Sequence, residues 1–251
     1  MVRKYVFGPI ISRRLGISLG IDMVPLKVCP LDCVYCEARA TTLLTLERKE
    51  YVPVDSVIEE LDRTLAGAPE LDYITFSGSG EPTLNSRIGD VIKFLKSRYP
   101  QYKVCLLTNG LLLGDPALQA DIAGIDLLIP SLDGSDDAEY QAVNRPTASM
   151  PFEKFIAALK DYLPRAPMPV YLELFILPGV NDTDESIARF AGLIRDFDVD
   201  KIQLNTLDRP GAVEGLQCAS EATVIRFMQG LRSAAPVEAV GKYSYLNSPI
   251  R

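Results

Sequence analysis

Lys27-Val28-Cys29-Pro30-Leu31-Asp32-Cys33-Val34-Tyr35-Cys36-Glu37 packs three of the chain's five cysteines into eight residues, with the spacing CxxxCxxC. Thiolates are the ligands of iron–sulfur clusters and soft metals, and three from one short loop can grip three corners of a cubane while its fourth iron stays open. A structural zinc site normally closes with four Cys or His ligands, but the chain has no histidine and Cys105 and Cys218 lie far away in sequence. A disulfide would leave one of the three thiols odd. A redox pair of Cys33 and Cys36 would leave Cys29 unexplained. The cluster reading uses all three.

Working outward, 251 residues suit one large domain of the α/β-barrel size. Hydrophobic residues make up 47% and charged residues 24%, which is an ordinary globular balance and excludes a disordered or fibrous chain. Lys plus Arg number 26 against 33 acids, a net charge of −7. That balance argues against nucleic acid as a partner, since phosphate binders carry a basic stripe. The segment from Met1 to Pro9 lacks the apolar core of a secretory signal, and no apolar run reaches the roughly 18 residues that span a bilayer. The reading is a cytoplasmic protein with no membrane contact, in a reducing compartment that keeps cysteines free for a cluster.

Short β-branched or apolar runs alternate with longer helical patterns, the signature of βα units and a parallel sheet. Six runs read as strands: Gly16 to Met23, Asp72 to Ser77, Lys103 to Thr108, Asp126 to Ser131, Val170 to Leu177 and Lys201 to Thr206. Apolar i, i+3, i+4 spacing marks helices at Val57, Ile58, Leu61 and Leu65, at Ile88, Val91, Ile92 and Leu95, and at Ile187, Phe190, Ala191 and Ile194. Pro53 and Asp55 mark one helix start, and Asp182 with Glu185 reads as a capping box. A further helix is expected from Ser220 to Ser233, followed by a tail from Val240 to Asn247 that either covers one end of the sheet or frays.

Strands covered on both faces should be almost wholly apolar. Here the period of two places Ser18, Gly20 and Asp22 together, then Tyr73, Thr75 and Ser77, Ser131 and Asp133, Glu173 with Tyr171 and Phe175, and Gln203 with Asn205. The expected architecture is therefore α/β, a partial TIM-like (β/α)6 barrel of parallel strands around a polar lumen. Residues 1–212 form the barrel, and residues 213–251 form a short C-terminal helical extension packed on it. Ligands in such folds sit at the carboxyl ends of the strands. The cysteine loop, Gly78-Ser79-Gly80-Glu81-Pro82-Thr83, Asn109-Gly110, Asp133-Gly134, the 178–182 loop and Asp208-Arg209-Pro210 all follow strands and share that rim. The glycine-rich loop taken alone fits either a close backbone approach to a ligand, with Glu81 accepting from an ammonium group, or a tight strand-to-helix turn. It is neither a Walker loop nor a dinucleotide fingerprint.

The ordered set of CxxxCxxC with Tyr35 before its last cysteine, then Gly78-Ser79-Gly80-Glu81-Pro82, then Thr108-Asn109-Gly110, resembles the radical S-adenosylmethionine superfamily over about Gly16 to Thr206. Within it, Leu107 to Arg145 and Gly179-Val180-Asn181-Asp182 are similar to the molybdenum-cofactor cyclase group. The Phe7 to Gly16 and Gln203 to Pro210 stretches resemble an uncharacterised branch near the wyosine-synthesis enzymes. The resemblance implies one 4Fe-4S cluster on Cys29, Cys33 and Cys36, whose open iron is chelated by S-adenosylmethionine. One electron, from a donor such as flavodoxin or ferredoxin, would cleave the sulfonium to methionine and a 5′-deoxyadenosyl radical that abstracts hydrogen from a small-molecule or peptide substrate. It further implies that Tyr35 lies by the adenine and that Gly78, Ser79, Gly80 and Glu81 meet the methionine amino group. Thr108 and Ser131 would hydrogen-bond the cofactor, Asn109 and Asp133 would share its rim, and Asn144-Arg145 would pair with its carboxylate.

Departures from the pattern bear on the reaction. Ser79 replaces a family glycine. Second-cluster cysteines are not expected, because only Cys218 follows the core and none precedes Cys29. Cys105, within Val and Leu, reads as a small core residue. Substrate candidates are the lumen residues Asp22, Glu173, Gln203 and Asn205 and the rim residues Arg13, Arg14, Asp208 and Arg209, whose charges would alternatively pair with one another. With no histidine, proton transfer would fall to Asp, Glu, Lys, Tyr or water. Other readings are a glycyl-radical-enzyme activase, an RNA-modifying enzyme and a non-catalytic iron–sulfur carrier.

Overall fold

Residues 4–247 are described by the computed structural model; residues 1–3 and 248–251, the outer ends of the expected barrel and extension, lie outside the described residues. In chain order the strands and helices are β1 (Val6–Ser12), β2 (Gly16–Ile21), β3 (Val28–Cys29), β4 (Leu43–Leu44), α1 (Val54–Leu65), β5 (Tyr73–Phe76), α2 (Ile88–Arg98), β6 (Lys103–Thr108) and α3 (Pro116–Ile122). They continue with β7 (Leu127–Pro130), α4 (Asp137–Asn144), α5 (Phe152–Tyr162), β8 (Tyr171–Phe175), α6 (Asp184–Ile194), β9 (Lys201–Asn205), α7 (Glu221–Leu231) and β10 (Val237–Ala239).

Two sheets, β1-β2-β5-β6-β7 and β10-β9-β8, meet where Leu128 bridges Val170 and Ser131 bridges Glu173. The result is one curved sheet whose strands are all parallel except β1, which runs antiparallel to β2. All six strands read from the sequence are present, with ends trimmed by up to two residues. Four strands were not expected: the two-residue pair β3 and β4, which forms a small parallel sheet of its own, and β1 and β10 in the main sheet. β1 contains Gly8-Pro9, and its ladder to β2 shifts register between Phe7 and Ile10, as suits a proline confined to an edge. β10 spans three residues, too few for a period to show.

Alternation explains the packing. Leu19, Ile21, Ile74, Phe76, Val104, Leu106, Leu128, Leu172, Leu174, Ile202 and Leu204 are buried in the main core, on the sheet face that the helices cover. α1 buries Val54, Val57, Leu61 and Leu65; three of these belong to the stripe that the spacing predicts, while Ile58 packs against the core partly buried, and Leu61→Ala is expected to cost about 2–5 kcal/mol. Pro53 provides no side-chain cap; Glu50 Oε1 accepts from Val54 N instead, at 2.9 Å. The capping box expected at Asp182 does not form. Thr183 is the cap and accepts from Ser186 N at 3.1 Å, while Asp182 accepts from Gly179 N and closes the preceding turn.

The inner face differs from the expected polar lumen. Leu15, Cys105, Leu127 and Ile129 form a separate apolar cluster joined by Tyr73, Leu107 and Tyr171. These residues share the phase of the polar positions, so part of the inner face is apolar and only the rest is polar. Cys105 is fully buried in this floor. The tail covers the sheet end rather than fraying. Asn247 exchanges two hydrogen bonds with Ala239, both 2.7 Å, and the Tyr243 hydroxyl donates to Ala219 O at 2.7 Å. Gly241 N reaches Arg13 O at 3.4 Å, so the tail touches the β1–β2 turn across the gap in the barrel. Among the described residues, no helix is long and apolar enough to cross a membrane.

Candidate active site

The cysteine loop is stitched down by backbone bonds on both sides. Towards α4, Asp32 N donates to Asn144 O and Val34 N to Val143 O, each at 2.9 Å. Towards the loop after β9, Val213 N donates to Val34 O at 3.0 Å. Gly211 permits that approach, since a Cβ there would lie 2.8 Å from Tyr35 Cα. Towards the glycine-rich turn, Lys27 N donates to Ser79 O at 2.6 Å and Glu81 N to Val28 O at 3.0 Å. The close approach that Gly80 permits is therefore to β3. A Cβ there would stand 2.2 Å from Val28 O.

Several residues expected to meet a ligand are engaged within the protein. The Glu81 carboxylate is buried and accepts four hydrogen bonds, from Thr83 N at 3.1 Å, the Thr83 hydroxyl at 2.6 Å, the Thr108 hydroxyl at 2.7 Å and Asn109 N at 2.8 Å. Burial nonetheless pushes its pKa above the usual carboxylate range. The Thr108 hydroxyl also accepts from Gly110 N. Asp22 lies under the turn, where it accepts from the Ser79 hydroxyl and from Ser79 N. The serine in place of the family glycine thus has a partner of its own.

Each cysteine sulfur of the loop faces a nitrogen donor. Lys27 Nζ donates to Cys36 Sγ at 3.1 Å, Asn144 Nδ2 to Cys33 Sγ at 3.3 Å and Asn109 Nδ2 to Cys29 Sγ at 3.6 Å. Burial, then the Glu81 charge, pushes the Cys29 thiol up to about 12. Burial, then Asp133, pushes Cys33 up as well. Metal coordination deprotonates such thiols outright. Among the described residues no three His, Cys, Asp or Glu side chains are close enough to hold a single metal ion, as a tetrahedral zinc centre would need. Three soft sulfur donors with N–H groups aimed at them fit an iron–sulfur cluster, in which such hydrogen bonds tune the potential.

Asp133 joins the loop to the sheet. It accepts from the Tyr35 hydroxyl at 2.6 Å, Asn144 Nδ2 at 2.7 Å and Phe175 N at 3.1 Å, and burial raises its pKa despite these donors. Tyr35 stacks on Phe175 with centroids 3.7 Å apart and planes 7° from parallel. Asn181, buried and named in the sequence only through a family likeness, donates to Asp133 O at 2.7 Å and Phe175 O at 2.8 Å. Asn144 is thus spent on Asp133 and Cys33. Arg145 ends α4 in a left-handed conformation, φ 45°, half-exposed and 4.0 Å from Asp32, rather than aimed into the lumen with Asn144. Ser131 is half-buried at the β7–β8 bridge.

Two cavities open beside the loop. One of about 210 Å³ is lined by Tyr35, Cys36, Glu173, Phe175, Asn205 and Leu207. The other, about 290 Å³, is lined by Phe7, Ile10, Ser18, Thr75, Ser77 and Leu107. Arg13, Arg14, Glu37 and Gly78 border both. Arg14 makes a two-point contact with Glu173, which also accepts from Asn205 Nδ2 at 2.9 Å. Burial, then neighbouring Arg13, lowers Arg14 to about 10, so it stays charged at neutral pH. Glu37, not singled out from the sequence, gathers the rim. Arg13 reaches it at 2.9 Å and Arg209 at 3.2 Å, and Arg13 also meets Asp208 at 3.3 Å. Its position directly after Cys36 was the available signal. Gln203 stands apart from this group, turned to Glu238 of β10 at 2.8 Å.

This arrangement matches a known family. Residues 23–191 match the model of the Radical SAM superfamily, and the chain belongs to it. A Brachyspira hyodysenteriae protein named GTPase Obg is 35% identical over 82% of this chain and 30% of its own length. A UPF0026 protein of Methanocaldococcus jannaschii is 30% identical over 81% of this chain and 64% of its own. The chain thus spans less than two thirds of either relative. A GTP 3′,8-cyclase of Chlorobaculum tepidum, 28% identical over 76% of this chain and 54% of its own, stands among the homologues. Among solved structures, a radical SAM methyltransferase from Sphaerobacter thermophilus superposes with a TM-score of 0.70 at 19% identity, covering 88% of this chain and 65% of that one; it shows the partial-barrel fold. An iron–sulfur cluster and S-adenosylmethionine are the cofactors of this class.

Proposed function

We propose that the chain carries one 4Fe-4S cluster on Cys29, Cys33 and Cys36 and uses it to cleave S-adenosylmethionine for hydrogen abstraction from a small-molecule or peptide substrate. The observation that carries this reading is the pair of adjoining cavities with Cys36 in the wall of one. When bound there, a cluster held by Cys29, Cys33 and Cys36 would supply the electron for splitting the sulfonium into methionine and a 5′-deoxyadenosyl radical. The chain's own residues bind and orient. The stacked Tyr35 and Phe175 offer an aromatic wall for the adenine. Backbone carbonyls of the 77–80 turn and Glu81 Oε2, which among the described residues accepts only from Asn109 N, are offered to the methionine amino group. Glu173, held by Arg14, and Asn205, which donates to Glu173, present polar atoms to the cavity beside Cys36, and Ser131 is bridged to Glu173.

The substrate belongs in the larger cavity. Its outer wall is β1, an edge strand with Phe7 37%, Ile10 49% and Ile11 90% exposed. Sheet edges accept extended chains through their free backbone groups, which favours a peptide over a small polar molecule. A reduced protein of the flavodoxin or ferredoxin class is the expected electron donor. Anaerobically reconstituted protein given dithionite and S-adenosylmethionine should release 5′-deoxyadenosine. Cluster-loaded protein that releases none refutes the reading.

A further inference from the structure

Lys27 is 3% exposed, and the partner of its ammonium is Cys36 Sγ at 3.1 Å. Lysine is almost never fully buried unless paired, because a desolvated charge needs a compensating one. A protonated thiol offers none, and no carboxylate lies within ion-pair distance of Lys27 among the described residues. The backbone adds a second, independent observation. Lys27 has φ 56°, the left-handed region that glycine occupies at no steric cost and a side chain with a Cβ does not. Strain of this kind concentrates at functional sites. The position is also rigidly held. Lys27 N donates to Ser79 O at 2.6 Å, and Lys27 O accepts from Thr42 N at 2.9 Å and Leu43 N at 3.2 Å. A strained, clamped backbone therefore delivers a buried cation to one sulfur, while Cys29 and Cys33 receive only neutral amides.

From this geometry, and resting on the cluster reading above, we infer that Lys27 is a positioning residue that sets the reduction potential of the cluster through its charged hydrogen bond to the Cys36 sulfur. The redox step is a transfer of one electron. The flavodoxin- or ferredoxin-class donor, or dithionite in vitro, loses it and the cluster gains it; no proton moves and Lys27 stays an ammonium. Reduction adds one negative charge to a buried site, where a fixed cation in hydrogen-bond contact favours the reduced form over the oxidised one. Removing the charge lowers the potential and makes the cluster harder to reduce.

The test is a potentiometric titration of the reconstituted, cluster-loaded protein, followed by electron paramagnetic resonance of the reduced state. Absence of a cluster in the wild-type protein refutes the cluster reading itself, before any Lys27 variant is compared. Lys27→Met should shift the reduced-to-oxidised ratio at fixed potential at least about tenfold, which is 59 mV for a one-electron couple, towards more negative values. Lys27→Gly, which relieves the left-handed backbone and so guards against misfolding, should hold the thermal midpoint while showing the same shift. Lys27→Arg should restore the wild-type potential. Loaded Met and Gly variants with the wild-type midpoint overturn the inference, as does an Arg variant shifted as far as Met.

Discussion

Replacing Gly80 with alanine tests how the cysteine loop is held. The added Cβ would lie 2.2 Å from Val28 O and 2.9 Å from Val24 Cγ2. The first obstacle is backbone, so the turn must withdraw from β3. Withdrawal breaks the Glu81 N to Val28 O bond at 3.0 Å and the Lys27 N to Ser79 O bond at 2.6 Å. Two hydrogen bonds at about 1 kcal/mol each, plus overpacking strain of about 1–3 kcal/mol, give a loss of about 3–5 kcal/mol. For a chain of this size that lowers Tm by roughly 6–20 °C. Thermal unfolding of the apo-protein, followed by circular dichroism, measures it. Gly192→Ala is the control: it lies inside α6 and an added Cβ meets nothing within 4 Å, so it should be neutral or stabilising by up to about 1 kcal/mol. Equal Tm values for Gly80→Ala and wild type would refute the clamp.

Cys33→Ala should abolish cluster binding, read as lost iron and visible absorbance after reconstitution; a full iron complement would remove Cys33 from the ligand set. Arg14→Met should cost up to about 3 kcal/mol because it leaves the part-buried Glu173 charge with Asn205 as its remaining side-chain donor, and Arg14→Met combined with Glu173→Met should recover much of that in urea denaturation. Burial raises the folded pKa of Glu81 above its unfolded value. Its contribution is therefore full below the ordinary carboxylate range near about 4 and is lost as pH rises through the folded pKa. Glu81→Gln apo-protein should show a flatter pH dependence of its urea midpoint across that window; an unchanged slope would contradict the direction of the shift.

The cysteine spacing and six parallel strands could be read directly, because ligand count and βα alternation are local properties. The period of two gave the correct face for Glu173 and Asn205. It did not show how much of that face is apolar: Cys105, read as a small core residue, is buried in a floor shared with Leu127 and Ile129. Nor does a period report competition for a side chain. Asp22 and Gln203, grouped with the lumen, also bond Ser79 and Glu238; Glu81, read either as an acceptor for an ammonium group or as part of a tight turn, accepts from Thr83, Thr108 and Asn109. Lys27 and Glu37 flank the cysteine loop at its two ends and went unremarked because charged neighbours of a motif are usually solvated. The role of Lys27 depends on the burial of its ammonium against Cys36, and that of Glu37 on Arg13 and Arg209, both remote from it in the chain.

The backbone bonds that stitch the cysteine loop to α4, to the glycine-rich turn and to the loop after β9 run between peptide groups and need no metal. In many small metal-binding domains the ligands are scattered until the ion arrives, so that metal affinity and folding free energy are the same quantity. Here the thiols are carried on a scaffold whose cohesion comes from its own peptide groups and core. Chelation should strip the cluster and leave a folded, reloadable apo-protein. Oxidative loss of iron would then be damage that resupply can reverse, and the half-life of the activity in air would be set by the cluster rather than by the chain.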